Sequence, residues 1–347
     1  PKVVMMAGGT GGHVFPALAV AQHLAEKGVE VHWIGTHKGI EATVVPENQL
    51  PLHFIDIAGI RGKSLGSLVS GPFSVLKAIV QTRKILVELK PELVIGMGGY
   101  ASGPGGIAAK MLGIPLIIHE QNASAGTTNK ILAKLANRIL CGFPNALPNS
   151  EYVGNPVRNS FYEQAPASQR YFTGEPFRLL VLGGSLGAKA LNNLVPGALA
   201  LLPPSLKVKI CHQAGARTLK EAKDAYSNMA AKNPAVAFEV VEFIDDVADE
   251  MASAHGIICR SGALTVAELS AVGAASILVP FPYAIDDHQT ANGRFLSDRG
   301  AAMLVPENKL TAETLAEILK DWSCNRDRLQ KMACAAQDSN DSKPALR

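Results

Sequence analysis

Two glycine-rich runs carry the clearest chemistry in the chain. VVMMAGGTGGH (residues 3–13) and LLVLGGSLGA (residues 179–188) each place an apolar run ahead of two glycines, a hydroxyl residue and a further glycine. Glycines between a strand and a helix let a phosphate approach the backbone, and the helix start offers free N–H groups with partial positive charge. A diphosphate is the guest such a turn fits. The plain alternative, a tight connection that binds nothing, loses weight when the pattern occurs twice. Neither run is the dinucleotide fingerprint, because Val14 breaks GxGxxG and the second apolar run closes on Gly35 and Thr36 rather than on an acid. No GK[ST] follows either run, so the motif for ATP hydrolysis is missing too.

Other polar groups gather at the same ends of apolar runs. His13 falls in the first turn of an expected helix, where the helix dipole disfavours imidazolium and leaves a neutral ring able to accept a proton. Taken alone, a capping or packing histidine is the ordinary reading. His119, Glu120, Gln121 and Asn122 directly follow the apolar run 116–118, a dense cluster whose bland alternative is a solvated turn. Glu268 follows the run 256–259 and the start of a helix; its two oxygens can accept both hydroxyls of a ribose. Thr265 and Glu268 also have capping-box spacing, which would reduce Glu268 to a cap. Residues 286–292, DDHQTAN, offer donors and acceptors suited to sugar hydroxyls, or simply a solvated helix start. There is no HExxH and no DxD, and the nine histidines are mostly scattered, so neither a metal nor a cofactor is expected. A diphosphate leaving group would then need Arg158 or a helix N-terminus.

The elements that must hold these groups follow from length and periodicity. At 347 residues the chain exceeds the roughly 250–300 at which single cores stop growing, so two domains are expected. Hydrophobic residues at 47% and charged residues at 18% describe a packed globular protein. A net charge of +3, with no nucleic-acid-binding signature, excludes a dedicated nucleic-acid partner. Five cysteines, none in CxxC, argue against a disulfide framework and for a reducing cytosol. Every long apolar stretch is cut by Gly or Pro, so no transmembrane helix is expected; the opening on Pro1 rather than Met implies trimmed ends. Strands are expected at 3–7, 29–34, 93–95, 116–118 and 138–141, and again at 179–182, 208–211, 237–241, 256–259 and 276–279, with helices between. This is α/β: two Rossmann-like, doubly wound domains facing across a cleft. The polar stretch after Gly154 separates an N-terminal domain, 1–157, from a C-terminal domain, 158–335, followed by a polar tail, 336–347.

From 57 to 87 there is no acidic residue, while Arg61, Lys63, Lys77, Arg83 and Lys84 alternate with Leu65, Leu68, Val69 and Phe73. Apolar residues beside lysines suit an anionic bilayer interface. Over the helical stretch, Val75, Leu76, Ile79 and Val80 read as a core-facing stripe with Lys77, Gln81 and Lys84 wet, so membrane contact is assigned to the loop before it.

Together the motifs resemble one family, the MurG peptidoglycan glycosyltransferases of the two-domain GT-B type. The resemblance rests on GGTGGHVFPALA from Gly8, GMGGYASGPGG from Gly96, HEQN from His119 and GNPVR from Gly154. It continues with GGSLGA from Gly183, EFIDD from Glu242, CRSGALTVAE from Cys259 and DHQTAN from Asp287. It implies transfer of N-acetylglucosamine from UDP-N-acetylglucosamine to the C4 hydroxyl of the muramoyl sugar of undecaprenyl-pyrophosphoryl-MurNAc-pentapeptide, lipid I to lipid II, with inversion. It also implies a peripheral enzyme on the cytoplasmic face of the bacterial inner membrane, with cell-wall or division proteins as partners. By the resemblance Ser185 and its loop hold the diphosphate, Ile244 offers backbone to uracil, Ala263, Leu264, Thr265 and Val266 line the nucleotide, and Glu268 takes the ribose. Gln289 and Asn292 read sugar hydroxyls, Arg158 reaches the nucleotide, and Thr10, Gly11, Gly12 and Asn122 close on the donor. The N-terminal domain takes the acceptor diphosphate, and domain closure excludes water. Leu186 departs from the GGSQGA common in the family. His13 is the first choice of base, with Glu120 as the alternative or as the group that orients His13. Rival readings are a UDP-N-acetylglucosamine 2-epimerase, another UDP-sugar glycosyltransferase, or a non-catalytic nucleotide-sugar-binding module.

Overall fold

Short apolar strands alternating with helices can bury both faces of a sheet only if the strands run parallel and the helices cover both sides. The chain builds this arrangement twice. A computed structural model describes residues 1–57, 65–170, 176–184, 187–284 and 287–340, with side chains for all of these except 65–70. It divides into two compact units, Pro1–Val157 and the residues from Arg158 to 340.

The first unit comprises β1 (Lys2–Met6), α1 (Gly11–Glu26), β2 (Glu30–Gly35), α2 (Glu41–Glu47), β3 (Leu52–Phe54) and α3 (Leu65–Leu89). It continues through β4 (Leu93–Gly96), α4 (Ser102–Met111), β5 (Leu116–Glu120), α5 (Thr127–Leu132), β6 (Arg138–Cys141) and β7 (Glu151–Tyr152). All seven strands are parallel, in the order β3-β2-β1-β4-β5-β6-β7. Strand alternation sends Val4 and Met6 into one buried layer with residues of α3, α4 and α5, and Val3 and Met5 into another with Val14, Ala17 and Ala21 of α1 and Trp33 of β2.

The second unit opens with a 3-10 turn at Asn159–Phe161 and α6 (Ala167–Arg170). There follow β8 (Phe177–Leu182), α7 (Lys189–Ala200), β9 (Val208–Gln213), α8 (Leu219–Lys232), β10 (Val236–Val241) and α9 (Val247–Ser253). After them come β11 (Gly256–Cys259), α10 (Ala263–Val272), β12 (Ser276–Leu278), α11 (His288–Ser297), β13 (Met303–Leu304), α12 (Ala312–Cys324) and α13 (Arg326–Asp338). Its six parallel strands run β10-β9-β8-β11-β12-β13 around a core that includes Phe177, Tyr226 and Trp322.

Two expectations need correction. The polar tail does not begin at 336: α13 runs through Asp338, Ala336 is buried, and Gln337 Oε1 accepts the Ala167 N–H at 3.0 Å. On α3 the inward face is Ala78, Thr82 and Leu86, while Phe73, Leu76 and Val80 are 74%, 59% and 60% exposed. Ala78 joins Ala108 and Ala109 of α4 in one buried cluster and Thr82 satisfies its hydroxyl on the Ala78 carbonyl; of the expected stripe, Ile79 packs on that cluster and Val75 is half-buried, whereas Leu76 and Val80 turn outward.

Candidate functional site

In each sheet the strand order reverses beside the strand that precedes a glycine turn, between β1 and β4 in the first unit and between β8 and β11 in the second. Ligands of open parallel sheets bind outside the carboxyl ends of the strands at such points.

In the first unit β1 ends at Met6, Gly9 takes a left-handed φ of 94°, and Thr10 caps α1 in an extended conformation without a side-chain bond. The first helical N–H groups, of Gly11 and Gly12, therefore have no helical acceptor, as helix geometry requires. The turn is braced by a residue the sequence did not single out. Glu41, buried at the start of α2, accepts the Gly9 N–H at 2.9 Å and the Thr36 N–H and hydroxyl at 2.9 and 2.8 Å. Only its acidic type and the adjacent GTHKG turn mark it in the sequence; its partner Gly9 lies 32 residues away.

His13 is the third residue of α1, and its ring packs on the loop after β4. A Cβ on Gly98, whose φ is 92°, would lie 2.6 Å from His13 Nδ1, which is why that loop carries glycine. His13 Nδ1 lies 3.0 Å from Gln121 Oε1; Gln121 Nε2 lies 3.2 Å from His119 Nδ1; His119 Nε2 lies 2.9 Å from the Gly154 carbonyl oxygen. Gln121 and His119 are buried, and burial lowers the His119 pKa against opposing contributions from the Gly154 carbonyl and Glu120.

Glu120 does not orient His13. It belongs to β5 and is buried, and its carboxylate accepts the N–H groups of Asn122 and Gly126 at 3.0 and 3.2 Å and the side-chain amides of Asn122 and Asn129 at 3.4 and 2.8 Å. Those donors fix it as the anchor of the 122–129 segment. Gln121, named in the cluster but given no role, is the residue that meets His13.

In the second unit β8 leads into Gly183 and Gly184, and Gly187 precedes α7; Ser185 lies outside the described residues. Gly187 has a φ of 81°, and a Cβ there would collide with the Thr218 hydroxyl and the Ala214 carbonyl. Behind this contact runs a buried network. His212 bonds Tyr226 OH at 2.8 Å and Asn192 Oδ1 at 2.9 Å, and Asn192 Nδ2 donates to the Ala214 carbonyl and to Thr218 Oγ1. Burial holds the His212 pKa at about 3, so the ring is a neutral spacer.

Helix α10 starts at Ala263 with Gly262 as its N-cap, so Ala263, Leu264 and Thr265 present the first-turn N–H groups and Val266 closes the turn on the Gly262 carbonyl at 3.0 Å. This removes the capping-box alternative, because Thr265 is already inside the helix. Glu268 lies a turn further on, with part of its surface accessible; protein around its carboxyl pushes it up to about 7, against the downward pull of Arg158. Arg158 is exposed, with its guanidinium 5.3 Å from the Phe161 ring. Ile244 is nearly buried in the turn between β10 and α9. Gln289 Oε1 accepts the Phe281 N–H at 2.9 Å, which leaves its amide N–H groups to donate. Asn292 is fully buried, and its amide donates to the Ser261 carbonyl at 3.2 Å, which ties α11 to the 259–262 turn.

On the candidate membrane segment, Arg61 and Lys63 lie outside the described residues, and Leu65, Leu68 and Val69 are placed only as part of α3. Phe73, Leu76 and Val80 form an exposed row with Lys77 and Lys84 also at the surface, and Met111 is exposed at the end of α4, which packs on α3. No described helix is long and apolar enough to cross a membrane. The described residues contain no cluster of three or more metal-ligating side chains.

Residues 3–141 match the glycosyltransferase family 28 N-terminal domain and residues 178–345 its C-terminal domain. The chain is 48% identical to the UDP-N-acetylglucosamine–N-acetylmuramyl-(pentapeptide) pyrophosphoryl-undecaprenol N-acetylglucosamine transferase of Burkholderia thailandensis, over 99% of this chain and 93% of that one. It is 49% identical to the protein of the same name from Pasteurella multocida, over 97% and 92%. The crystal structure of Acinetobacter baumannii MurG superposes with a TM-score of 0.85 at 41% identity, covering 97% of this chain and 94% of that one. A UDP-GlcNAc 2-epimerase from Neisseria meningitidis shares the fold alone, with a TM-score of 0.63 at 14% identity over 99% and 96% of the two chains. With two Rossmann-like units of the GT-B fold and these matches along nearly its whole length, the chain is a glycosyltransferase of family 28 and belongs to the MurG family.

Proposed function

We propose that the chain transfers N-acetylglucosamine from UDP-N-acetylglucosamine to the C4 hydroxyl of the muramoyl sugar of undecaprenyl-pyrophosphoryl-MurNAc-pentapeptide, with inversion. The observation that carries the reading is the 48–49% identity to two such transferases over nearly the whole chain. The geometry adds the chemistry. The second unit offers α10 N–H groups and the glycines at 183, 184 and 187 to a nucleotide diphosphate, and a carboxyl at Glu268 that can take ribose hydroxyls. Arg158 supplies positive charge to the departing UDP. In the first unit His13 is the base: it removes the acceptor hydroxyl proton as the oxygen bonds to the sugar C1 and the bond from C1 to UDP breaks.

The protein works at the cytoplasmic face of the inner membrane, held by the exposed row on α3 and its lysines. Apolar side chains beside cations favour an anionic interface, and the acceptor itself is a lipid. Radiolabelled UDP-N-acetylglucosamine incubated with a short-chain lipid I analogue, with and without EDTA, tests the activity. A β-1,4-linked disaccharide that forms in both supports it; UDP binding without disaccharide, given competent protein and acceptor, overturns it and directs attention to epimerisation.

A further inference from the structure

The hydrogen-bond chain behind His13 has one consistent set of proton positions. The Gly154 carbonyl can only accept, so His119 donates to it from Nε2. The buried His119 ring is neutral, and its Nδ1 therefore carries a lone pair. Gln121 turns its Nε2 toward that lone pair, which leaves Oε1 facing His13 Nδ1. An amide oxygen cannot donate, so the proton of this last bond is on His13 Nδ1. The reversed amide would set Oε1 against the unprotonated His119 Nδ1, two acceptors facing each other in a buried place.

We propose that Gln121 and His119 are positioning residues that hold His13 in its Nδ1–H tautomer and so put the basic lone pair on Nε2. The inference rests on the reading of His13 as the base. The acceptor O–H bond breaks, its proton goes to His13 Nε2, the oxygen bonds to the sugar C1, and the electron pair of the C1–O bond leaves with UDP. The relay is itself fixed in place. Asn155 Nδ2 donates to the Gln121 carbonyl at 2.9 Å, Asn129 Nδ2 donates to the His119 carbonyl at 3.3 Å, and Gly98 packs on the His13 ring. A histidine held by an acceptor at Nδ1 is the arrangement that general-base catalysis requires of the opposite nitrogen.

The test begins on the free protein with nitrogen-15-labelled imidazoles, the His13 signals being assigned from their loss in His13→Asn. At about pH 8, His13 Nδ1 is expected to give a pyrrole-type signal and Nε2 a pyridine-type signal. A reversed or averaged pattern overturns the relay. In Gln121→Met the pattern should average, and kcat should fall about 10–100-fold while the KM for UDP-N-acetylglucosamine stays within about twofold. Gln121→Glu restores an acceptor at His13 Nδ1 but loses the donor to His119 Nδ1, and should recover part of kcat with the acidic limb of its pH profile moved upward. A Gln121→Met protein that keeps both pattern and kcat overturns the proposal, and the wild-type spectrum decides alone if that variant does not fold. A wild type with the expected pattern and no transferase activity would remove the functional reading and leave the relay standing.

Discussion

The Glu41 carboxylate and the Gly9 backbone N–H lie 2.9 Å apart, and this bond joins the start of α2 to the first glycine turn. The same carboxylate takes both polar hydrogens of Thr36, so one buried side chain closes two strand ends. Glu41→Ala leaves three donors unpaired and should cost about 3–5 kcal/mol of stability. Glu41→Gln keeps the shape and one acceptor oxygen, and should cost about half as much. Denaturant unfolding of the two variants checks the order; equal and small losses would show that the turn does not depend on this carboxylate.

Glu268 makes the second prediction one of pH. Its carboxyl is pushed up to about 7 from an ordinary 4.5, so between those values the folded protein keeps a proton that the unfolded chain releases. The stabilisation is complete below about pH 4.5 and is lost as pH rises through about 7. Glu268→Gln should therefore be more stable than wild type at about pH 8, by about 1–3 kcal/mol, with the gap closing toward pH 5. The same variant should bind UDP about 10–100-fold more weakly, because the amide keeps only one of the two acceptor oxygens. Thermal melts across pH and calorimetric UDP titration read these separately.

Gly98 and Gly113 separate strain from contact. Both have left-handed φ, 92° and 70°, but a Cβ on Gly98 meets the His13 ring, whereas one on Gly113 meets nothing within 4 Å. Each alanine variant should lose about 1–2 kcal/mol. Only Gly98→Ala should also lose kcat, by about tenfold or more, because the imidazole must move. Equal kcat in the two variants would show that His13 tolerates displacement.

Replacing Phe73, Leu76 and Val80 by serine removes apolar surface that faces solvent, so thermal stability should change by less than about 1 kcal/mol. Co-sedimentation with phosphatidylglycerol-containing vesicles should fall about tenfold or more, while turnover of a short-chain acceptor is preserved. Unchanged sedimentation would place membrane attachment elsewhere.

The sequence displays what local chemistry determines and hides what long-range packing determines. Alternating apolar runs and glycine turns located ten of the strands and both turns, because parallel strands buried on two faces are apolar throughout. The strands β3, β7 and β13 have two or three residues and lie at or near sheet edges, too short to leave a pattern. On α3 the pattern held for Ile79 but misled for Leu76 and Val80, because Ala78 and Thr82 pack inward through small size and an internal hydrogen bond rather than through hydrophobicity. The places of His13 in the first turn of α1 and of Glu268 in α10 were legible from the pattern around them. The roles of Gln121 and Glu41 were not, since each is defined by partners distant in sequence, 108 residues for His13 and 32 for Gly9.

Each sheet carries its turn beside its own reversal of strand order, and the braces for each turn come from the same unit: Glu41 for one, the His212 network for the other. The two halves are thus separately inheritable. A lineage can change one half without disturbing the brace of the other half's turn. Chimaeras cut at the joint between Val157 and Arg158 are the laboratory form of that evolutionary freedom.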